Sequence, residues 1–326
     1  MDQIVDLAAT NLLSPIILSF ALGIAAALAR SDLNIPEAVA KGMSIYLLFA
    51  IGFKGGVSVA DHGIDATLAS SLLAGIVLSA VLPLIAFVLL QVMGNLSRLD
   101  AAAVAAHYGS ISIVTFVAAT SVLESSGIAS EGYMVAVAAT MEAPAILSAL
   151  WLITRGGGDN RRMDGALLRE IMLNGSIVLL VGSFAIGWIT GADGLAKIES
   201  FIVSPFQGVL CLFLLDMGLV AGRGLREGQA VLRPGIIAFG VVMPIVGATI
   251  GLATGLLLGI SSGGVALFMV LSGSASYIAV PAAMRVAVPE ANPSIYLTLS
   301  LGVTFPFNLT LGIPIYLSIA GALTGG

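Results

Sequence analysis

Two short clusters of small polar residues hold most of the chemistry this sequence offers: Gly109-Ser-Ile-Ser112 and Gly273-Ser-Ala-Ser276. Each interrupts a long apolar stretch. Glycine inside a helix costs roughly 1 kcal/mol against alanine, so each cluster is a natural place for a helix to break. A break creates a half-helix N-terminus with free N–H groups and roughly half a positive charge. Such an end attracts a small anion without a buried arginine. The hydroxyls of Ser110, Ser112, Ser274 and Ser276 can add donors, and Gly109 and Gly273 let the backbone approach closely. The plainer alternative is that these small residues only permit close helix packing.

A second constellation suits a hard cation, which takes oxygen ligands. Glu142 lies within an apolar stretch, two residues before Pro144, in Met-Glu-Ala-Pro. Pro306 is followed by Phe307 and Asn308, and Thr304 precedes it by two residues. Glu142, Thr304, Asn308 and the serine hydroxyls, with Thr115 just beyond Ser112, form the candidate cation shell. Glu142 could instead be a protonated, hydrogen-bonded structural acid. His107 can relay protons or simply sit satisfied in a core. Asp216 is expected near one end of its helix, where it meets solvent or a neighbouring subunit.

The elements that must hold these residues are membrane helices. Of 326 residues, 58% are hydrophobic and only 10% charged, against roughly 25% charged in soluble domains. Mean hydropathy is +1.08. A window of about 20 apolar residues predicts an all-α integral membrane protein with ten transmembrane spans: 12–29, 39–56, 66–93, 101–123, 133–154, 171–191, 205–221, 235–259, 264–286 and 294–320. Spans 4 and 9 carry the glycine–serine breaks. If both termini are outside, the inner loops collect Arg30, Lys41, Arg98, Arg155, Arg161, Arg162, Arg169, Arg223, Arg226, Arg233 and Arg285, leaving Lys54 and Lys197 outside. Cytoplasmic loops gather Lys and Arg, so this orientation is expected. Residues Met1 to Asp6 hold two acids and no base, the wrong start for a cleaved signal peptide.

The two halves resemble each other. The pair Gly52/Gly56 aligns with Gly218/Gly222, Gly109-Ser-x-Ser112 with Gly273-Ser-x-Ser276, Pro83 with Pro244, and Pro144 with Pro306. Five spans per half is an odd number, so the second half enters the membrane inverted. The expected organisation is a first five-helix repeat (1–154), a cytoplasmic linker (155–170) and a second five-helix repeat (171–326). Inverted-topology repeats are frequent in secondary transporters, and the breaks in spans 4 and 9 are expected to cross near the midplane.

Several classes are disfavoured. Cys211 is alone, so no internal disulfide forms, and with only His62 and His107 no convincing zinc set exists. No basic stripe points to nucleic acid. An intramembrane hydrolase using a serine with His107 is disfavoured because Gly273-Ser274-Ala-Ser276 lacks the Gly-x-Ser-x-Gly pattern, and a receptor or scaffold would have soluble signalling parts. A cation/proton antiporter, which wants paired intramembrane acids, or an organic-anion carrier on a related inverted-repeat fold stays as the alternative.

At Leu47 to Gly56 (LLFAIGFKGG), Gly109 to Ser112, Met141-Glu-Ala-Pro144, Ser274-Ala-Ser276, Pro281-Ala-Ala-Met-Arg285 and Ala291-Asn-Pro-Ser-Ile-Tyr296, the chain resembles the sodium-dependent bicarbonate transporter family known from cyanobacteria. The resemblance runs from the first span to the last. It implies a core domain of spans 3–5 and 8–10 and a gate domain of spans 1, 2, 6 and 7. It implies a homotrimer in a bacterial inner membrane and bicarbonate held where spans 4 and 9 cross. It also implies sodium close by as co-substrate, no cofactor, and a PII-like cytoplasmic regulator. Cyanobacterial members have Asp where this chain has Tyr277 and Glu142, and a longer linker between the halves. The reading that follows is sodium-coupled uptake of a small anion, bicarbonate first, by alternating access.

Overall fold

The structure, a computed structural model, describes residues 13–63, 65–94, 96–154, 169, 173, 175–227, 233–278, 280–281, 283–284 and 288–325. The linker expected at 155–170 therefore lies outside the described residues apart from Arg169, as do Arg285 and the first twelve residues. The described chain contains helices and no strand. Eight helices are long and apolar enough to cross a membrane, and two shorter apolar ones accompany them, Pro15–Leu28 and Ser262–Ser272.

Along the chain we name α1 (Pro15–Leu28), α2 (Glu37–His62), α3 (Ala66–Met93), α4 (Arg98–Gly109), α5 (Ile113–Ser125), α6 (Met134–Thr140) and α7 (Glu142–Thr154). After the linker come α8 (Gly175–Ile202), α9 (Phe206–Glu227), α10 (Pro234–Leu258), α11 (Ser262–Ser272), α12 (Pro293–Leu299) and α13 (Ile313–Thr324). The fourth, fifth and ninth spans are each interrupted. The tenth stays helical but passes through two wide turns, Ser300–Thr304 and Asn308–Gly312, around Phe305–Phe307. Pro306 has no N–H to give its helix, and a ladder missing a donor widens locally to i→i+5 bonding, a form concentrated at functional sites.

The second, sixth and seventh spans end elsewhere than the sequence reading has them; the second, expected to stop at 56, runs on to His62. The sixth span does not stop at 191: Gly191 adopts φ 57°, bending α8, and the helix resumes to Ile202. The seventh runs on to Glu227, because its final turns carry Arg223 and Arg226 and a hydropathy window discards them. Asp216 therefore sits buried near the middle of α9 rather than at its end.

Packing separates the helices into two groups. α8 lies along α2, and α9 along α1, these being the most extensive helix pairs. α3 packs on α4 and α7, and α10 on α11. The glycine pairs explain the first group. Added side chains at Gly52 and Gly56 would strike Ser183 and the Phe184 carbonyl of α8, and at Gly218 and Gly222 would strike Phe20 and Ala27 of α1. The helix backbones touch there, which is how membrane helices gain dispersion contact without a hydrophobic drive between them.

Caps fix where the helices start. Ser97 Oγ accepts the Asp100 N–H at 3.0 Å and donates to the Asp100 carboxylate at 2.7 Å, in the manner of a capping box. The other Asp100 oxygen accepts the Asn292 N–H at 2.9 Å. Asn292 caps α12 through the Ser294 N–H, with Pro293 at the first helical position. One carboxylate thus joins the starts of α4 and α12. At the opposite end, Glu131 holds the Ser261 N–H (2.7 Å) and hydroxyl (2.9 Å), while Ser261 caps α11.

Candidate functional site

The two glycine–serine breaks meet. α4 ends at Gly109, Ser110 is extended, and α5 begins at Ile113 with Ser112 as N-cap. α11 ends at Ser272, residues 274–276 are non-helical, and Val280 returns to helix. The Ser112 N–H donates to Ser274 Oγ at 3.0 Å, and the Ser276 N–H donates to the His107 carbonyl at 2.7 Å. Each break therefore satisfies a backbone donor of the other, which irregular backbone in a bilayer must have. Ser110, Ser112, Ser274 and Ser276 are all buried.

Equivalent prolines lie against the two breaks. A side chain at Gly109 would collide with the Pro83 ring, and one at Gly273 would lie 2.8 Å from the Pro244 carbonyl oxygen. The prolines of α3 and α10 thus seat against the glycine that starts each break.

The serine hydroxyls are not equivalent. Ser112 Oγ accepts the Thr115 N–H (3.2 Å) and the Thr115 hydroxyl (2.9 Å), so it is occupied as a helix cap. Ser274 Oγ donates to the Leu271 carbonyl at 3.1 Å. Ser110 Oγ donates to Glu142 Oε2 at 2.8 Å. The Ser276 hydroxyl makes no hydrogen bond among the described residues. The first N–H groups of α5 have no partner within their own helix and open onto the same break.

Glu142 is buried. It starts α7 after a one-residue interruption at Met141. Where the helix restarts, Ser79 of α3 inserts between the Ala145 N–H and the Met141 carbonyl, which would otherwise pair directly. The Ala145 N–H donates to Ser79 Oγ (3.1 Å), which itself donates to the Met141 carbonyl (2.6 Å). No Lys or Arg forms an ion pair with Glu142 among the described residues, and a buried carboxylate without a counter-charge is costly.

The remaining expected cation ligands separate. Asn308 Nδ2 donates to the Gly273 carbonyl at 2.8 Å, tying the last span to the second break, and its Oδ1 accepts from Tyr316 at 3.0 Å. Thr304 donates to the Gly240 carbonyl (2.8 Å) and so accepts from the Tyr108 hydroxyl (2.6 Å). Glu142 and Thr115 border the first break, Asn308 borders the second, and Thr304 is engaged with α4 and α10 instead. His107 donates from Nδ1 to the Ala103 carbonyl at 2.7 Å and stacks on Tyr296 with ring centroids 4.4 Å apart. Its contribution to the crossing is its carbonyl.

Sequence reasoning passed over Ser79 and Tyr108, whose partners are 62 and 196 residues away, so no local pattern marks them. Tyr277 was noted only as a departure from the family pattern. Its hydroxyl is buried beside Ser112 without a well-formed hydrogen bond. It lines a cavity of about 420 Å³ that Arg223, Ser294 and Thr298 also border. A second cavity, of about 280 Å³, lies on the Lys54–Glu124 side and reaches Phe116 and Thr120 of α5.

No curated protein matches the chain. A family model does, over residues 15–321, which include both breaks, Glu142 and the wide turns of the last span: the chain belongs to the Na+-dependent bicarbonate transporter superfamily and is a multi-pass membrane transporter, not an enzyme.

Proposed function

We propose that this protein imports bicarbonate together with sodium by alternating access. The observation that carries the reading is the buried crossing itself: the Ser112 N–H donates to the Ser274 hydroxyl and the Ser276 N–H to the His107 carbonyl. Half-helix ends and the Ser276 hydroxyl meet there, and a small planar anion would be held between them. Glu142 stands one hydrogen bond away through Ser110, where a sodium ion would supply the counter-charge it lacks. Thr115 and Asn308 are the further ligands nearest the breaks, and Thr304 completes the set only if the last span shifts. An antiporter would want a second acid at the crossing; among the described residues the other buried acid is Asp216, in α9, which has no hydrogen bond to either break.

In this reading the ten spans form two inverted five-helix repeats. The symmetric use of the two glycine pairs, α2 on α8 and α9 on α1, supports it, as does the symmetric seating of Pro83 and Pro244. The group α1, α2, α8 and α9 is the gate and the rest is the core that carries the ions. The placement of both termini outside rests on the Lys and Arg distribution, and inner-membrane placement rests on the family resemblance. A homotrimer and a PII-like regulator rest on the family resemblance. The test is uptake of labelled bicarbonate into proteoliposomes with and without an inward sodium gradient. Uptake that ignores the gradient would overturn the proposal.

A further inference from the structure

We infer that Tyr277 is a further residue of the anion site, its phenol hydroxyl donating to an oxygen of the bound anion. The inference deepens the transport reading above and rests on it. Tyr277 directly follows Ser276, outside any helix. It is 7% exposed, and its hydroxyl has no well-formed hydrogen bond among the described residues. A buried phenol in that state has lost the hydration of its donor and gained nothing in return. The cause is local. Ser112 lies beside it, but Ser112 Oγ already accepts the Thr115 N–H (3.2 Å) and the Thr115 hydroxyl (2.9 Å). Both lone pairs of that oxygen are taken, so the phenol proton finds no acceptor there. The buried Ser276 hydroxyl, one residue earlier, is also unbonded among the described residues. Two hydroxyl protons at the crossing thus want an acceptor, and an anion with more than one oxygen can serve both.

The aromatic ring fixes where the phenol stands. Phe305 meets it edge-on, with centroids 5.4 Å apart and planes at 69°. Phe305 in turn stands edge-on to Phe20 of α1 at 5.1 Å. The hydroxyl is therefore carried by a packed ring rather than by a loose side chain. The same residue closes a cavity. The space of about 420 Å³ between α9 and the last span is lined by Val220 and Gly224 on one side and by Thr298 and Leu301 on the other. Tyr277 and Ile278 bound it at the second break, and none of the four break serines reaches it. Tyr277 is the residue that touches both the crossing and this cavity. Arg223 also lines the cavity, which in the proposed orientation puts it on the inner side, so Tyr277 is the last site residue that an imported anion leaves.

Tyr277→Phe removes the hydroxyl alone and keeps the ring against Phe305. Full-length parent and variant are reconstituted into proteoliposomes, and uptake of labelled bicarbonate is measured against bicarbonate concentration under a saturating inward sodium gradient, beside a thermal melt. The variant should melt no lower than the parent, since it loses only an unsatisfied donor. Its half-saturation for bicarbonate should rise roughly tenfold to hundredfold, while its half-saturation for sodium, at saturating bicarbonate, should match the parent's. An unchanged half-saturation for bicarbonate overturns the inference and leaves the transport reading standing. A change in the sodium value alone makes the phenol oxygen a cation ligand, and a melt well below the parent's makes the hydroxyl structural; either result overturns it as well. If the parent itself shows no sodium-dependent uptake, the transport reading fails and this role for Tyr277 fails with it.

Discussion

Replacing Ser276 with alanine separates a binding role from a packing role, because its neighbours share the same chemistry but not the same duties. The Ser276 N–H reaches the His107 carbonyl at 2.7 Å, and alanine keeps that bond. The Ser276 hydroxyl is bonded to nothing among the described residues, so removing it forfeits no internal contact. Ser112 is different: its Oγ caps α5 through the Thr115 N–H and also accepts the Thr115 hydroxyl. Losing an N-cap costs about 0.5–2 kcal/mol, or roughly 2–4 °C in melting temperature per kcal/mol. Ser276→Ala should therefore melt with the parent, while Ser112→Ala melts several degrees lower. In transport, a hydrogen bond to a charged ligand is worth about 1.5–3 kcal/mol, so Ser276→Ala should raise the half-saturation for bicarbonate roughly tenfold to hundredfold. The assay is concentration-dependent uptake of labelled bicarbonate into proteoliposomes, beside a thermal melt. Unchanged half-saturation in Ser276→Ala would remove that hydroxyl from the site, and a melt depressed like that of Ser112→Ala would show that it is structural.

Gly109→Ala must push a methyl group into the Pro83 ring and should cost about 1–3 kcal/mol, read as a lower melt; Gly182→Ala, with open space around it, should be tolerated. Cysteines at Asp32, after the first span, and Ser204, after the sixth, are both exposed. In a Cys211→Ser background an impermeant thiol reagent added outside should label position 204 and spare 32; equal labelling would refute the inverted repeat. Glu142→Gln keeps an acceptor for Ser110 and should fold, yet transport should lose most of its sodium dependence; unchanged dependence would leave Glu142 a structural acid.

Much of this arrangement was legible because its signals are local. Glycine pairs four residues apart mark close helix contact whichever helix answers them, and here α2 met α8 while α9 met α1. The serine clusters announced breaks, and breaks they are. Which hydroxyl stays free could not be read, since Ser112 and Ser276 look alike until capping by the first separates them. Ser79 was invisible for a related reason: a serine within an apolar helix looks like a packing residue, and its task is to bridge the Ala145 N–H and the Met141 carbonyl where α7 starts. Asp216 was misplaced because charged residues at a helix end lower a hydropathy average without ending the helix.

The proposed coupling of the two ions follows from what the crossing lacks. Among the described residues no lysine or arginine makes a hydrogen bond or ion pair with the residues of the breaks. Neutral N–H groups and hydroxyls can hold a monovalent anion and still release it, whereas a guanidinium buried at that depth would carry a heavy desolvation cost and bind the anion whether or not sodium was present. The charge next to the site is instead Glu142, bonded to Ser110 at 2.8 Å, and ionised it opposes an arriving anion. Two unit charges 4 Å apart interact by about 4 kcal/mol at an effective dielectric constant of 20. A sodium ion on Glu142 would turn that repulsion into attraction, so the anion site becomes favourable only once the cation is in place. Neutralising Glu142 should accordingly do more than weaken sodium binding: Glu142→Gln should bind bicarbonate more tightly than the parent when sodium is absent, the opposite of what loss of a merely structural acid would do.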